Sequence, residues 1–117
     1  MLMGIDMDFY TKFDQTLRTL SAFLNQSLEI KADGPTIDLI VDSCEYIRAC
    51  LDETRVARSE DYYCLRLKLC RNEMININYF LTILDVSRQE DLQIRKLRLL
   101  REIKALVRMM SVRVTNK

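Results

Sequence analysis

The sequence predicts an all-α protein, an antiparallel up-down-up-down four-helix bundle, and three observations carry that expectation. Gly and Pro are nearly absent, two and one in 117 residues, so the turns that an all-β sandwich needs about every 8–12 residues cannot be built. Apolar residues recur at alternating steps of three and four along most of the chain, which is the spacing of one helical face. The breaks between these runs are short, and short connections make neighbouring helices antiparallel. The length fits one domain, residues 1–117, and not two.

The first helix is expected over roughly 5–31. Its apolar face is Tyr10, Phe13, Leu17, Leu20, Leu24 and Leu28. The strongest break follows at Lys31–Thr36, where Gly34 suits a C-terminal cap and Pro35 suits the first turn of the next helix. The second helix, 36–57, carries Ile37, Ile40, Cys44, Ile47 and Leu51. Register is lost near Ala57–Asp61. Ser59 there is a natural N-cap, with Glu60 and Asp61 favourable in the first turn. The third helix, 60–84, has the cleanest stripe: Tyr63, Leu67, Cys70, Met74, Ile77, Leu81 and Leu84. Ser87 and Glu90 then read as a capping box. The fourth helix, 88–113, carries Leu92, Leu99, Ile103, Leu106 and Met110, widened by Leu100, Val107 and Val114. Val112, Val114 and Thr115 are weak helix formers, so its end is expected to fray.

Composition excludes several function classes. Apolar residues at 49% with a net charge of +1 do not describe a disordered chain. The longest uncharged run is Met74–Leu84, and a spanning helix needs about 20 apolar residues, so no membrane segment is expected. Met1–Phe9 carries Asp6 and Asp8 but no Lys or Arg, unlike a secretory signal; the expected location is the cytoplasm. Histidine is absent, which removes imidazole catalysis and imidazole metal ligands. Cys44, Cys50, Cys64 and Cys70 form no Cys-x-x-Cys pair and read as buried or half-buried reduced thiols, which pack like small apolar residues. The adjacent carboxylates Asp52-Glu53 and Glu60-Asp61 point apart on a helix. The reading is a protein that is not an enzyme, with no cofactor, no metal and no small-molecule substrate. Asn72, Asn76 and Asn78 read as exposed polar positions. Tyr46, Tyr62, Tyr63, Tyr79 and Phe80 read as core or interface packing and not as base-stacking platforms.

The small net charge is a cancellation. Residues 1–61 hold six basic and twelve acidic side chains, whereas residues 62–117 hold twelve and five. On the fourth helix Arg98, Arg101, Lys104 and Arg108 share one strip, extended by Arg95 and Lys96. A cluster of cations on one face is the electrostatic footprint of nucleic-acid binding. The same polarity fits a second reading, in which the basic fourth helix of one subunit meets the acidic second helix of another.

The stretch Ile37–Leu84 carries further pattern. Ile47 and Ala49, Glu53, Ala57 and Ser59, Tyr62-Tyr63, Arg66-Leu67, Arg71-Asn72-Glu73 and Tyr79-Phe80-Leu81, then Leu84, follow without a gap. This resembles the bacterial four-helix bundle protein family, which includes the proteins encoded in 23S rRNA intervening sequences and is similar to the accessory proteins of diversity-generating retroelements. Tyr46, Cys50 and Asn76 depart from its pattern, standing at a Ser, an Asn and a Glu. The resemblance implies a left-handed bundle, a bacterial source, a ring-like homopentamer, and, as in the retroelement proteins, binding to nucleic acid and to a reverse transcriptase. The retained polar residues point to a pair between Glu53 and either Arg66 or Glu73, within or between subunits, with Tyr79 and Phe80 as interface residues. The expected function is a non-enzymatic oligomeric protein that binds RNA, DNA or a nucleic-acid enzyme through its third and fourth helices. The alternative is a structural homo-oligomeric assembly module that binds no nucleic acid.

Overall fold

The computed structural model describes residues 7–115, which form α1 (Met7–Glu29), α2 (Gly34–Arg55), α3 (Glu60–Ile83) and α4 (Glu90–Thr115). No strand occurs among the described residues. The expected start of the first helix at residue 5 lies outside them. α1 packs on α2 and α4, and α3 packs on α2 and α4. The described residues measure 46 × 21 × 20 Å, which matches helices of about 22–26 residues lying alongside one another at ~1.5 Å per residue.

One cluster of buried apolar side chains runs the length of the molecule. Every residue of the expected stripes on α2 and α3 is buried. On α1 the stripe departs at its end: Leu28 is 49% exposed and Ser27 is fully buried in its place. Two successive steps of four residues over-rotate a helix by about 80°, so the buried series continues from Leu24 to position 27. The Ser27 hydroxyl donates to the Phe23 carbonyl at 2.9 Å, which makes a small polar residue tolerable there. Phe9 and Phe23 add to the core. Phe9 meets both Tyr10 and Phe13 edge to face, the arrangement that aromatic quadrupoles prefer.

The turn after α1 is closed by backbone alone. The Lys31 N–H bonds the Leu28 carbonyl and the Ala32 N–H bonds the Ser27 carbonyl, each at 3.0 Å. This is a Schellman motif, whose left-handed position is usually glycine. Here Lys31 holds that position with φ 61°. Gly34 therefore does not cap α1; it is the first residue of α2, with Pro35 beside it in the first turn. Asp33 precedes it, and its carboxylate accepts from the Thr36 hydroxyl at 2.7 Å.

Ser59 caps α3 as expected, with extended backbone and its hydroxyl oxygen accepting from the Tyr62 N–H at 3.1 Å. Ser87 does not cap α4. Its N–H and its hydroxyl both donate to Asp85 Oδ1, at 2.9 and 2.7 Å, and α4 starts only at Glu90. The nearby aspartate is a local acceptor that competes with capping. α4 runs on to Thr115, two residues past the expected end at 113. Val114 is half-buried against the core, and that packing outweighs the weak helix propensity of valine.

At the opposite end, Thr54 donates its only hydroxyl proton to the Leu51 carbonyl at 2.6 Å. The 2.9 Å contact between Tyr10 and Thr54 therefore has the tyrosine as donor. The Arg55 guanidinium lies 4.4 Å from the Tyr10 ring centre and that of Arg113 lies 5.1 Å from Phe9, so two cations cover the aromatic ends of the core.

Candidate nucleic-acid interface

α4 is amphipathic, with its buried register at 92, 96, 99, 103, 106 and 110, steps of four and three throughout. Lys96 falls in that register. It is 7% exposed, and its Nζ donates to the carbonyls of Leu84 at 2.7 Å and Thr82 at 3.0 Å. Burial pulls its ammonium pKa below the usual lysine value, and the Asp85 carboxylate opposes that shift. Lys96 thus closes the C-terminal end of α3 and is not part of the basic outer strip. The signal was present in the sequence: Lys96 fills the missing step between Leu92 and Leu99.

Arg95 also leaves the strip. It is half-buried, and Nη1 donates to Oε1 of Gln26 on α1. The remaining four, Arg98, Arg101, Lys104 and Arg108, are exposed. Neither ion pair of the described residues involves any of them. Three large apolar residues share this outer side: Ile94, Leu97 and Val112, each more than half exposed. Without carboxylate partners among the described residues, the positive charge of these four residues is uncompensated and available to a ligand.

The other predicted residues lie on α2 and α3. Glu53 and Arg66 meet across these helices at 3.4 Å, and the Tyr62 hydroxyl donates to Glu53 Oε2 at 3.5 Å. The Arg66 guanidinium sits 5.0 Å from the Tyr62 ring centre. The contact lies within one chain. Both side chains are only partly covered, so the pair contributes about 0–1 kcal/mol. Glu73 is separate from it and accepts from Ser43 of α2 at 2.8 Å. Phe80 is half-buried. Tyr79 is 61% exposed and touches Phe80 edge to face at 5.7 Å.

Between α3 and α4 lies a groove of about 220 Å³, lined by Ile75, Asn78, Lys104, Val107 and Arg108. The three asparagines of α3 divide here. Asn72 and Asn76 are exposed and make no bond to each other. Asn78 is half-buried, and its Oδ1 is buried with no hydrogen-bond partner among the described residues. Its position four residues after buried Met74 is the sequence signal that sets it apart.

The outer side of α2 has the opposite charge. Asp38, Asp42, Glu45 and Asp52 are all exposed. α2 and α4 lie across the core from each other, since each packs on α1 and α3, so the acidic and basic faces look in opposite directions.

Two of the cysteines, Cys44 and Cys70, are held as thiols. All four thiols are free, three are buried and Cys64 is half-buried. Burial pushes Cys44 up to about 11 and raises Cys70 still further, so neither forms the reactive thiolate at neutral pH. No helix of the described residues is long and apolar enough to cross a membrane. Among them no group of three or more Cys, Asp or Glu side chains is placed to hold a metal ion.

No family model, curated protein or solved structure matches this chain.

Proposed function

We propose that this protein is a non-enzymatic, oligomeric four-helix bundle that binds nucleic acid, or a nucleic-acid enzyme such as a reverse transcriptase, through α4 and the adjoining edge of α3. The observation that carries this reading is the outward strip of Arg98, Arg101, Lys104 and Arg108, exposed and free of ion pairs among the described residues. Phosphate neutralisation by such cations supplies most of non-specific nucleic-acid affinity. The bundle is read as up-down-up-down and left-handed. Its antiparallel order is supported by contacts in which residue numbers rise on one helix as they fall on the next: Glu53 with Arg66, Ile47 with Cys70, and Ser43 with Glu73. The homopentamer, the bacterial source and the cytoplasmic location belong to the same proposal, and the first two rest on the family resemblance.

Charge reversal of Arg101, Lys104 and Arg108 to glutamate tests it. Binding of labelled RNA, followed by fluorescence anisotropy, is expected to vanish in the triple variant. In the parent it should weaken steeply with salt, by about 0.7 log unit per log unit of salt for each phosphate contact to a single strand. Equal binding by parent and variant would place the surface elsewhere.

A second reading has its own observation, the acidic outer face of α2 opposite the basic face of α4. Two unlike faces on opposite sides make a head-to-tail contact, which closes into rings or extends into filaments. This reading expects high salt to dissociate the oligomer and no RNA to bind at any salt, both visible by light scattering.

A further inference from the structure

We infer that the α3–α4 groove takes an unstacked base, so that the preferred ligand of the basic face is single-stranded nucleic acid and not a duplex. This rests on the nucleic-acid reading above and narrows it to a substrate class. The groove combines three features that a flexible strand needs together. Ile75 and Val107 give it apolar walls. Lys104 and Arg108 stand at the same groove and supply positive charge for the flanking phosphates. Asn78 lines it with an amide whose oxygen has no partner among the described residues. A shielded amide oxygen without a partner costs free energy and calls for a reason. An amide holds a donor and an acceptor side by side, which is the complement of a base edge, and its terminal torsion is soft enough to turn either atom toward a ligand. At about 220 Å³ the groove is smaller than the roughly 300 Å³ at which pockets for drug-sized ligands begin. It suits a single inserted ring.

Tyr79 adds a second, independent element. It follows Ile75 by one helical turn, about 6 Å along α3; the residue is 61% exposed, with its ring edge to face against Phe80 and outside the groove lining. An exposed aromatic beside a basic groove is how sequence-tolerant proteins stack successive bases of a single strand. A duplex keeps its bases stacked and can reach only the cations. In this arrangement one base enters the groove, its neighbour stacks on Tyr79, and the backbone follows Lys104 and Arg108.

The test measures anisotropy of labelled single-stranded RNA, single-stranded DNA and the matching duplex with the parent, Tyr79→Ala and Asn78→Leu. Tyr79 is mostly exposed, so its alanine variant is expected to fold, and circular dichroism checks both variants. The expected result is a parent that prefers single strands. Each variant should then lose about tenfold in single-strand affinity with duplex affinity unchanged. If the parent binds both forms and the variants lose neither or both equally, the groove inference fails while the basic surface stands. If the parent binds neither form, the nucleic-acid reading fails and this inference fails with it.

Discussion

The two turns that join α1 to α2 and α3 to α4 solve the same problem in different ways. Each must satisfy the last carbonyls of a helix. The first does so locally, with the N–H groups of Lys31 and Ala32 folding back onto Leu28 and Ser27, and it holds a lysine in a left-handed conformation to do it. The second borrows a side chain from the next helix: Lys96 of α4 reaches the carbonyls of Thr82 and Leu84. A local solution depends on one residue's backbone preference. A borrowed one couples the end of α3 to the docking of α4, so the same ammonium both caps a helix and fixes a hairpin.

That contrast can be broken by mutation, and the borrowed cap should be the more costly to lose. Lys96→Met keeps the aliphatic stem and deletes the ammonium. The Leu84 carbonyl, buried in this contact, is then left without its donor. A destabilisation of about 1–3 kcal/mol is expected, read as a lower urea midpoint. An unchanged midpoint would mean that the ammonium contributes no cap. At the first turn, Lys31→Gly should act in the opposite direction. A left-handed L-residue costs roughly 1–2 kcal/mol, partly offset by the greater freedom of glycine when unfolded, so a gain of about 0.5–1 kcal/mol is expected in the same measurement. Should Lys31→Gly destabilise the protein, the lysine side chain must contribute more than its backbone strain costs.

The smallest effect concerns pH at the second turn. The Ser87 hydroxyl and then its N–H hold the Asp85 carboxyl below its usual pKa, with Lys96 and Arg88 assisting. A carboxylate depressed in the folded state stabilises the fold above its unfolded pKa, and that contribution is lost as pH falls through the depressed value. Ser87→Ala removes the hydroxyl bond and should move the Asp85 pKa back up toward the ordinary aspartate range in an NMR titration. An unmoved titration would assign the shift to the backbone N–H and the cations.

The stripes of α2 and α3 were legible because their steps of three and four never break. Ser59 was legible as a cap because no competing acceptor lies two residues before it. Ser87 was not, since Asp85 takes both of its donors. Of the basic strip, Arg98, Arg101, Lys104 and Arg108 lie exposed on the outer side of α4. Lys96 and Arg95 do not share that side, because a long side chain near the edge of a buried face can turn inward when acceptors wait there.

The alternation of apolar residues determined by itself that this chain folds into helices, where each begins and ends to within a few residues, and which face of each is buried. Periodicity suffices for this because burial of an apolar face is a property of one helix at a time. Only the tertiary structure decided which polar side chains remain available. The acceptors that claim Lys96 sit on α3, the oxygen that claims Arg95 sits on α1, and the groove beside Asn78 exists only where α3 and α4 lie side by side. Each of these depends on two helices meeting, a fact that no single helical period contains.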